Sequence, residues 1–246
     1  MQLPETMIWL EPFLPTWRML VVGVPVAGLY SSAAAALAGW LRSHREVQAP
    51  YTRKIFHFTI MSAAAVVHMV WGLPGVVIFG SMTALLVLLA VAKGSGFPFY
   101  EALARPSDAP HQRMFILIPL ATTALGGVLG NLLFSTFAPI GYMVTGWGDA
   151  VGEPVGTRWG KHRYRVPSLA GVTATRSIEG SGAVFLAGTA AAALALFGMG
   201  YGASISVGVG AACGASGAAV EAFSNHGLDN LTVQVATSAL AWALLG

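Results

Sequence analysis

The chain has 246 residues, 55% of them hydrophobic and only 9% charged, where an ordinary soluble domain carries roughly 25% charged residues. That balance excludes a water-soluble globule and predicts an all-α, polytopic transmembrane helical bundle of about eight spans, a single integral membrane domain over 1–246 with no room for a second, soluble one. The net charge of +3 and isoelectric point near 9.2 do not indicate nucleic acid as a partner, because the basic residues fall where they orient a membrane protein.

The first 17 residues contain Glu5 and Glu11 and no basic residue, so they lack the positive start of a cleaved signal peptide, and the first span is expected to be retained. Apolar windows of span length then follow near 19–41, 55–71, 74–92, 114–134, 138–156, 180–198, 202–222 and 230–245. The last is short and needs a thinned or tilted environment. Cys213, the single cysteine, lies in an Ala/Gly-rich apolar run and is read as helix packing, which excludes an internal disulfide and a Cys-based zinc site.

With the amino terminus outside, the connections 42–54, 93–113, 157–179 and 223–229 share one face and carry twelve of the thirteen basic residues, all but Arg18. The connections near 72–73, 135–137 and 199–201 carry no charge. The positive-inside rule therefore sets the long loops in the cytoplasm and both termini on the opposite face. The segment 93–113 mixes turn residues with aromatics and is read as a loop with at most one interfacial turn and no chemistry.

Five of the ten acidic residues, Asp149, Glu153, Glu179, Glu221 and Asp229, lie in the last hundred residues, at or inside the cytoplasmic ends of predicted helices. An acid in mid-helix costs roughly 2.5–3.5 kcal/mol on the insertion scale, so such a residue usually has a function. Asp149 and Glu153 are four apart and share a helix face. Beside them Gly148, Gly152, Gly156 and Gly160 form a row that lets another backbone or a ligand approach closely. Pro154 is expected to kink or unwind this helix and free the carbonyl of Ala150. Paired carboxylates at this spot suit a divalent metal that keeps several waters; the alternative is an acid pair neutralised by Arg on a neighbouring helix.

The following loop brings Arg158 and Lys161, whose fork and point charge are the usual partners of phosphate oxygens. Downstream, Arg176-Ser177-Ile178-Glu179 places a base, a hydroxyl and an acid at the start of a helix, where Ser177 is also a ready cap. Arg53-Lys54-Ile55-Phe56-His57 opens the second span, with His57 one turn beyond Arg53 on the same face. Asp229-Asn230 adds acid and amide groups to the same membrane face, so the chemistry concentrates in 138–235 around one cytoplasmic-facing cavity.

Gly148-Asp149 through Gly156, Arg158, Gly160-Lys161, then Ser177-Ile178-Glu179-Gly180-Ser181, and later Asp229-Asn230, resemble the polyprenol kinase family, which includes dolichol kinase, phytol kinase and CTP-dependent diacylglycerol kinase. The Arg53 to His57 run is similar to the amino-terminal signature of the phytol kinase branch. The resemblance covers roughly residues 50–235. Its departures are Arg176, usually Lys in the family, Thr157, often Arg, and Gly152, often Ala. It implies transfer of the γ-phosphate of CTP to an isoprenoid alcohol or diacylglycerol in the bilayer, with Mg²⁺ or another divalent cation. In that reading Asp149 holds the metal, with Glu153, Glu179 or Asp229 as further ligands. Arg158, Lys161 and Arg176 clamp the triphosphate, with Ser177, Asp229 and Asn230 in the nucleotide site, and His57 and Glu179 are candidate bases. The same motif order also resembles phosphatidate cytidylyltransferase, but that enzyme's carboxy-terminal Pro-Gly-His-Gly-Gly stretch is absent. A membrane carrier is the remaining alternative, since intramembrane carboxylates also line ion paths.

Overall fold

The computed structural model describes residues 14–167, 174–225 and 227–246; Glu5 and Glu11 lie outside the described residues. The first helix, α1 (Trp17–His44), starts where Thr16 caps it by accepting a hydrogen bond from the Met19 amide at 3.3 Å. Helix α2 (Ala49–Lys93) begins with Pro50 in its first turn, where a missing N–H costs nothing. Its 45 residues contain one break, at Gly72 (φ 63°, ψ −157°), two residues before Pro74. A positive φ suits glycine, and Pro74 cannot donate backward, so the windows 55–71 and 74–92 arrive as two helical halves. Met61 in the first half and Val87 in the second line one cavity; in a straight helix they would stand roughly 39 Å apart. The chain therefore turns back at Gly72.

A short buried helix, α3 (Pro98–Leu103), and a 3-10 turn at Pro106–Asp108 follow, so the segment 93–113 is folded into the protein rather than laid on its surface. Then come α4 (Gln112–Phe134), a 3-10 turn at Ser135–Phe137 and α5 (Ala138–Trp159). Helix α5 stays helical through Pro154, and the expected unwinding there is not observed; the proline still leaves the carbonyl of Ala150 without its usual donor. The connection to the next helix contains a small antiparallel hairpin, β1 (Arg163–Val166) and β2 (Ala174–Ser177), pairing Tyr164 with Arg176. That is the one departure from an all-helical chain among the described residues. Helices α6 (Ile178–Gly198), α7 (Ala203–Phe223) and α8 (Asp229–Leu245) complete the bundle.

Five helical stretches are long and apolar enough to cross a membrane: Trp17–His44, Ala49–Lys93, Gln112–Trp159, Ile178–Gly198 and Ala203–Phe223. Two of them, 45 and 48 residues long, contain the break at Gly72 and the turn at Ser135–Phe137. Large apolar side chains such as Leu29, Val70, Leu186 and Phe197 face outward, more than 60% exposed, while the interior is rich in Ala, Gly, Ser and Thr. This is the arrangement of a bundle packed in lipid, where small residues let backbones approach.

The glycine row of α5 is part of that packing. A Cβ on Gly148 would stand 3.0 Å from Val184 Cγ1, and one on Gly156 3.0 Å from Ser177 Oγ and 3.5 Å from Gly180 Cα, so the first turns of α6 and its Ser177 cap pack against the row. Cys213 is fully buried in α7 and lies 3.7 Å from the Thr237 carbonyl, a packing residue as its surroundings imply.

Candidate active site

A cavity of about 380 Å³ opens at one end of the bundle, where the start of α2, the 3-10 turn after α3, the end of α5, the hairpin, the end of α7 and the start of α8 converge. One wall is charged and the other, built by Ile60, Met61, Val87, Ile116 and Leu120, is apolar.

The charged wall is held by two ion-pair clusters. In the first, Lys54 from α2 binds Asp149 and stands 2.7 Å from Glu153 Oε2, so one ammonium spans two carboxylates a helical turn apart. Glu153 in turn accepts from Arg105 Nη1 at 3.2 Å, and Arg105 Nε reaches Asp108 at 2.9 Å. Burial acts to lower the basicity of Arg105, but Glu153 and Asp108 outweigh it and hold the guanidinium above its ordinary range. In the second cluster, Arg176 Nε pairs with Glu221 at 3.0 Å and Nη2 with Asp229 at 2.8 Å, while Nη1 donates to the Ser224 carbonyl at 3.3 Å. One side chain thus ties β2 to α7, to the following loop and to α8.

His57 lies between the charged and apolar walls. Its Nε2 is buried without a hydrogen-bond partner, 3.8 Å from Asp149 Oδ2, too far for a hydrogen bond. Ser177 lines the cavity and caps α6, accepting from the Gly180 amide at 3.1 Å. Asn230 donates to Thr123 Oγ1 at 2.8 Å.

The structure therefore brings together Asp149, Glu153, His57, Arg176, Ser177, Asp229 and Asn230. Three of the sequence-derived candidates stand apart. Arg158 is exposed, its guanidinium 5.2 Å over the Trp159 ring, and Lys161 is exposed. Glu179 accepts from the His162 ring at 2.8 Å and from the His162 amide at 3.3 Å, bracing the hairpin outside the cavity lining. Arg105 and Asp108 enter the site without having been singled out, and so does Lys54 in a role of its own, having been noted only within the Arg53 to His57 run. Lys54 and Arg105 read as ordinary positive-inside charge, and only the Arg105/Asp108 spacing of three residues hinted at a local pair.

Among the described residues no three His, Cys, Asp or Glu side chains form an all-protein metal cage. Asp149 and Glu153 nevertheless offer hard oxygen donors one turn apart on the cavity wall. That donor set is of the kind that suits a small divalent cation keeping several of its waters.

No family model matches the chain, and no solved structure matches it significantly. Among curated proteins, it is 32% identical over 234 residues to a phytol kinase of Synechocystis sp., a match covering 94% of this chain and 93% of the relative. By a match of that extent the chain belongs to the polyprenol and phytol kinase family.

Proposed function

We propose that this protein is a CTP-dependent kinase of a lipid alcohol dissolved in the bilayer, with an isoprenoid alcohol as the acceptor class. The observation that carries the reading is a single cavity with a charged wall against an apolar one, in a chain of this family. A triphosphate and a hydrocarbon need those two surfaces, and a hydroxyl must lie where they meet.

His57 stands at that boundary. In the proposed reaction the acceptor oxygen forms a bond to the γ-phosphorus, its proton passes to His57 Nε2, and the bond from the γ-phosphorus to the β–γ bridging oxygen breaks, releasing CDP. Asp149 stabilises the imidazolium from the side. Positioning and electrostatics dominate phosphoryl transfer, so a modest base suffices. Lys54 and Arg176 supply positive charge along the triphosphate. Asp149, with Glu153 or Asp229, would hold a divalent cation, which when bound neutralises the charge of the phosphates.

We also read eight spans here: α1, the two halves of α2, α4, α5, α6, α7 and α8. An even count returns both termini to one face and the charged loops to the cytoplasm, where CTP is found.

The test is radiolabelled CTP given to purified protein in detergent with a panel of prenyl alcohols, diacylglycerol and phosphatidate. Label from the γ-phosphate is expected in the lipid fraction, with CDP released. Label from the α-phosphate in lipid, with pyrophosphate released, would establish a cytidylyltransferase instead. Label in neither pool would overturn the enzyme reading in favour of a carrier.

A further inference from the structure

We infer that Arg53 is a phosphate-binding residue of this cavity, held unpaired in the free protein to receive the oxygens of the nucleotide's terminal phosphate. The inference rests on the kinase reading and assigns it a residue that neither ion-pair cluster uses.

The three cations that build the charged wall each serve two carboxylates: Lys54 with Asp149 and Glu153, Arg105 with Asp108 and Glu153, Arg176 with Glu221 and Asp229. Arg53 is different. It lines the same cavity, yet it makes no hydrogen bond and no ion pair with any described residue, and its Nη1 is buried without a partner. The acids within electrostatic reach of it are Asp108, Asp149 and Glu153, and another cation, Arg105, also acts on it. All three acids are engaged by Lys54 or Arg105.

Arg53 is half-buried, with its Nη1 shut off from solvent; a sheltered donor without a partner destabilises the free protein, so its retention needs a compensating partner. The guanidinium fork matches two oxygens of a phosphate, and its donors here are uncommitted. Position supports the same ligand. Arg53, His57, Ile60 and Met61 follow at helical spacing on one face of α2 and all line the cavity, each turn about 5.4 Å deeper than the last. Along that face a cation, an imidazole and an apolar floor succeed one another, the order in which a phosphoryl group, a hydroxyl and a hydrocarbon chain would lie.

The experiment compares the full chain in detergent with Arg53→Met and Arg53→Lys. Equilibrium binding of CTP, CDP, CMP and inorganic triphosphate is measured with Mg²⁺, and the melting temperature without ligand. Arg53→Met is expected to weaken CTP and triphosphate binding at least about tenfold, the scale of a lost hydrogen bond to a charged group, and to narrow the preference for CTP over CDP. Its ligand-free melting temperature should be unchanged or higher, because a half-buried cation with an unpaired donor has gone. Arg53→Lys should recover part of the affinity. Wild-type affinity in Arg53→Met overturns the assignment, and so does a variant that melts lower or fails to fold, since either means that Arg53 supports the bundle. Wild-type protein that binds neither nucleotide nor triphosphate overturns the nucleotide reading itself, and this inference with it.

Discussion

Arg176 on β2 and Asp229 at the first turn of α8, fifty-three residues apart, are joined at 2.8 Å, and the same guanidinium holds Glu221 of α7 at 3.0 Å. All three side chains are less than 20% exposed. Removing the cation leaves two carboxylates facing each other out of water, a loss of about 3–5 kcal/mol. Arg176→Ala is therefore expected to lower the melting temperature strongly, and Glu221→Gln in that background to restore part of it. Arg176→Lys should fall between wild type and Arg176→Ala, because one ammonium does not reproduce a fork that contacts two acids and a carbonyl. A melting curve of Arg176→Ala superimposed on wild type would show that the cluster does not hold these elements together.

The pair of acids on α5 separates chemistry from stability. Asp149→Asn keeps size and leaves Lys54 bound to Glu153, so folded yield should change little. Turnover should fall at least about a hundredfold, equivalent to roughly 2.7 kcal/mol. Lys54→Met does the reverse: it leaves Asp149 without its cation, one turn from a Glu153 held by Arg105 alone, and should reduce the yield of folded protein before any assay is run. Full activity in Asp149→Asn would make that residue a packing acid.

Glu179 pairs with His162 outside the cavity lining. Glu179→Gln is expected to lower turnover less than about tenfold, where Asp149→Asn lowers it about a hundredfold or more. A loss in Glu179→Gln equal to that of Asp149→Asn, at unchanged melting temperature, would return Glu179 to the chemistry.

Gly152 packs against Val184 and the Gly180 carbonyl of α6. Gly152→Leu should force α5 and α6 apart and cost about 1–3 kcal/mol by overpacking, read as a lower melting temperature in detergent. Gly182 has open space at its Cβ position, so Gly182→Ala should be neutral or slightly stabilising.

The orientation proposed for the loops is checked in a Cys213→Ala background, which removes the one native thiol. Arg163→Cys, at an exposed position of the hairpin, should react with an impermeant thiol reagent only in inside-out vesicles. Labelling from the outer face would invert the topology.

Composition and the placement of charge were enough to read a membrane-embedded helical bundle, because hydropathy and chain length are local quantities. The windows on either side of residues 72–73 anticipated the break at Gly72, since a glycine and a proline announce it locally. Asp149, Glu153, Arg176 and Asp229 could be singled out because a charged or polar group near lipid is costly wherever it sits. What each of them touches was a tertiary matter. Lys54 meets Asp149 across ninety-five residues and Arg105 meets Glu153 across forty-eight, and no local pattern encodes those pairings. The same holds for Glu179, whose position beside Arg176 and Ser177 in sequence did not predict that it turns to His162. Motif order ranked the polar residues by type, whereas the packing of α2, α5, α7 and α8 around one cavity decided which cations were paired and left Arg53 without a partner.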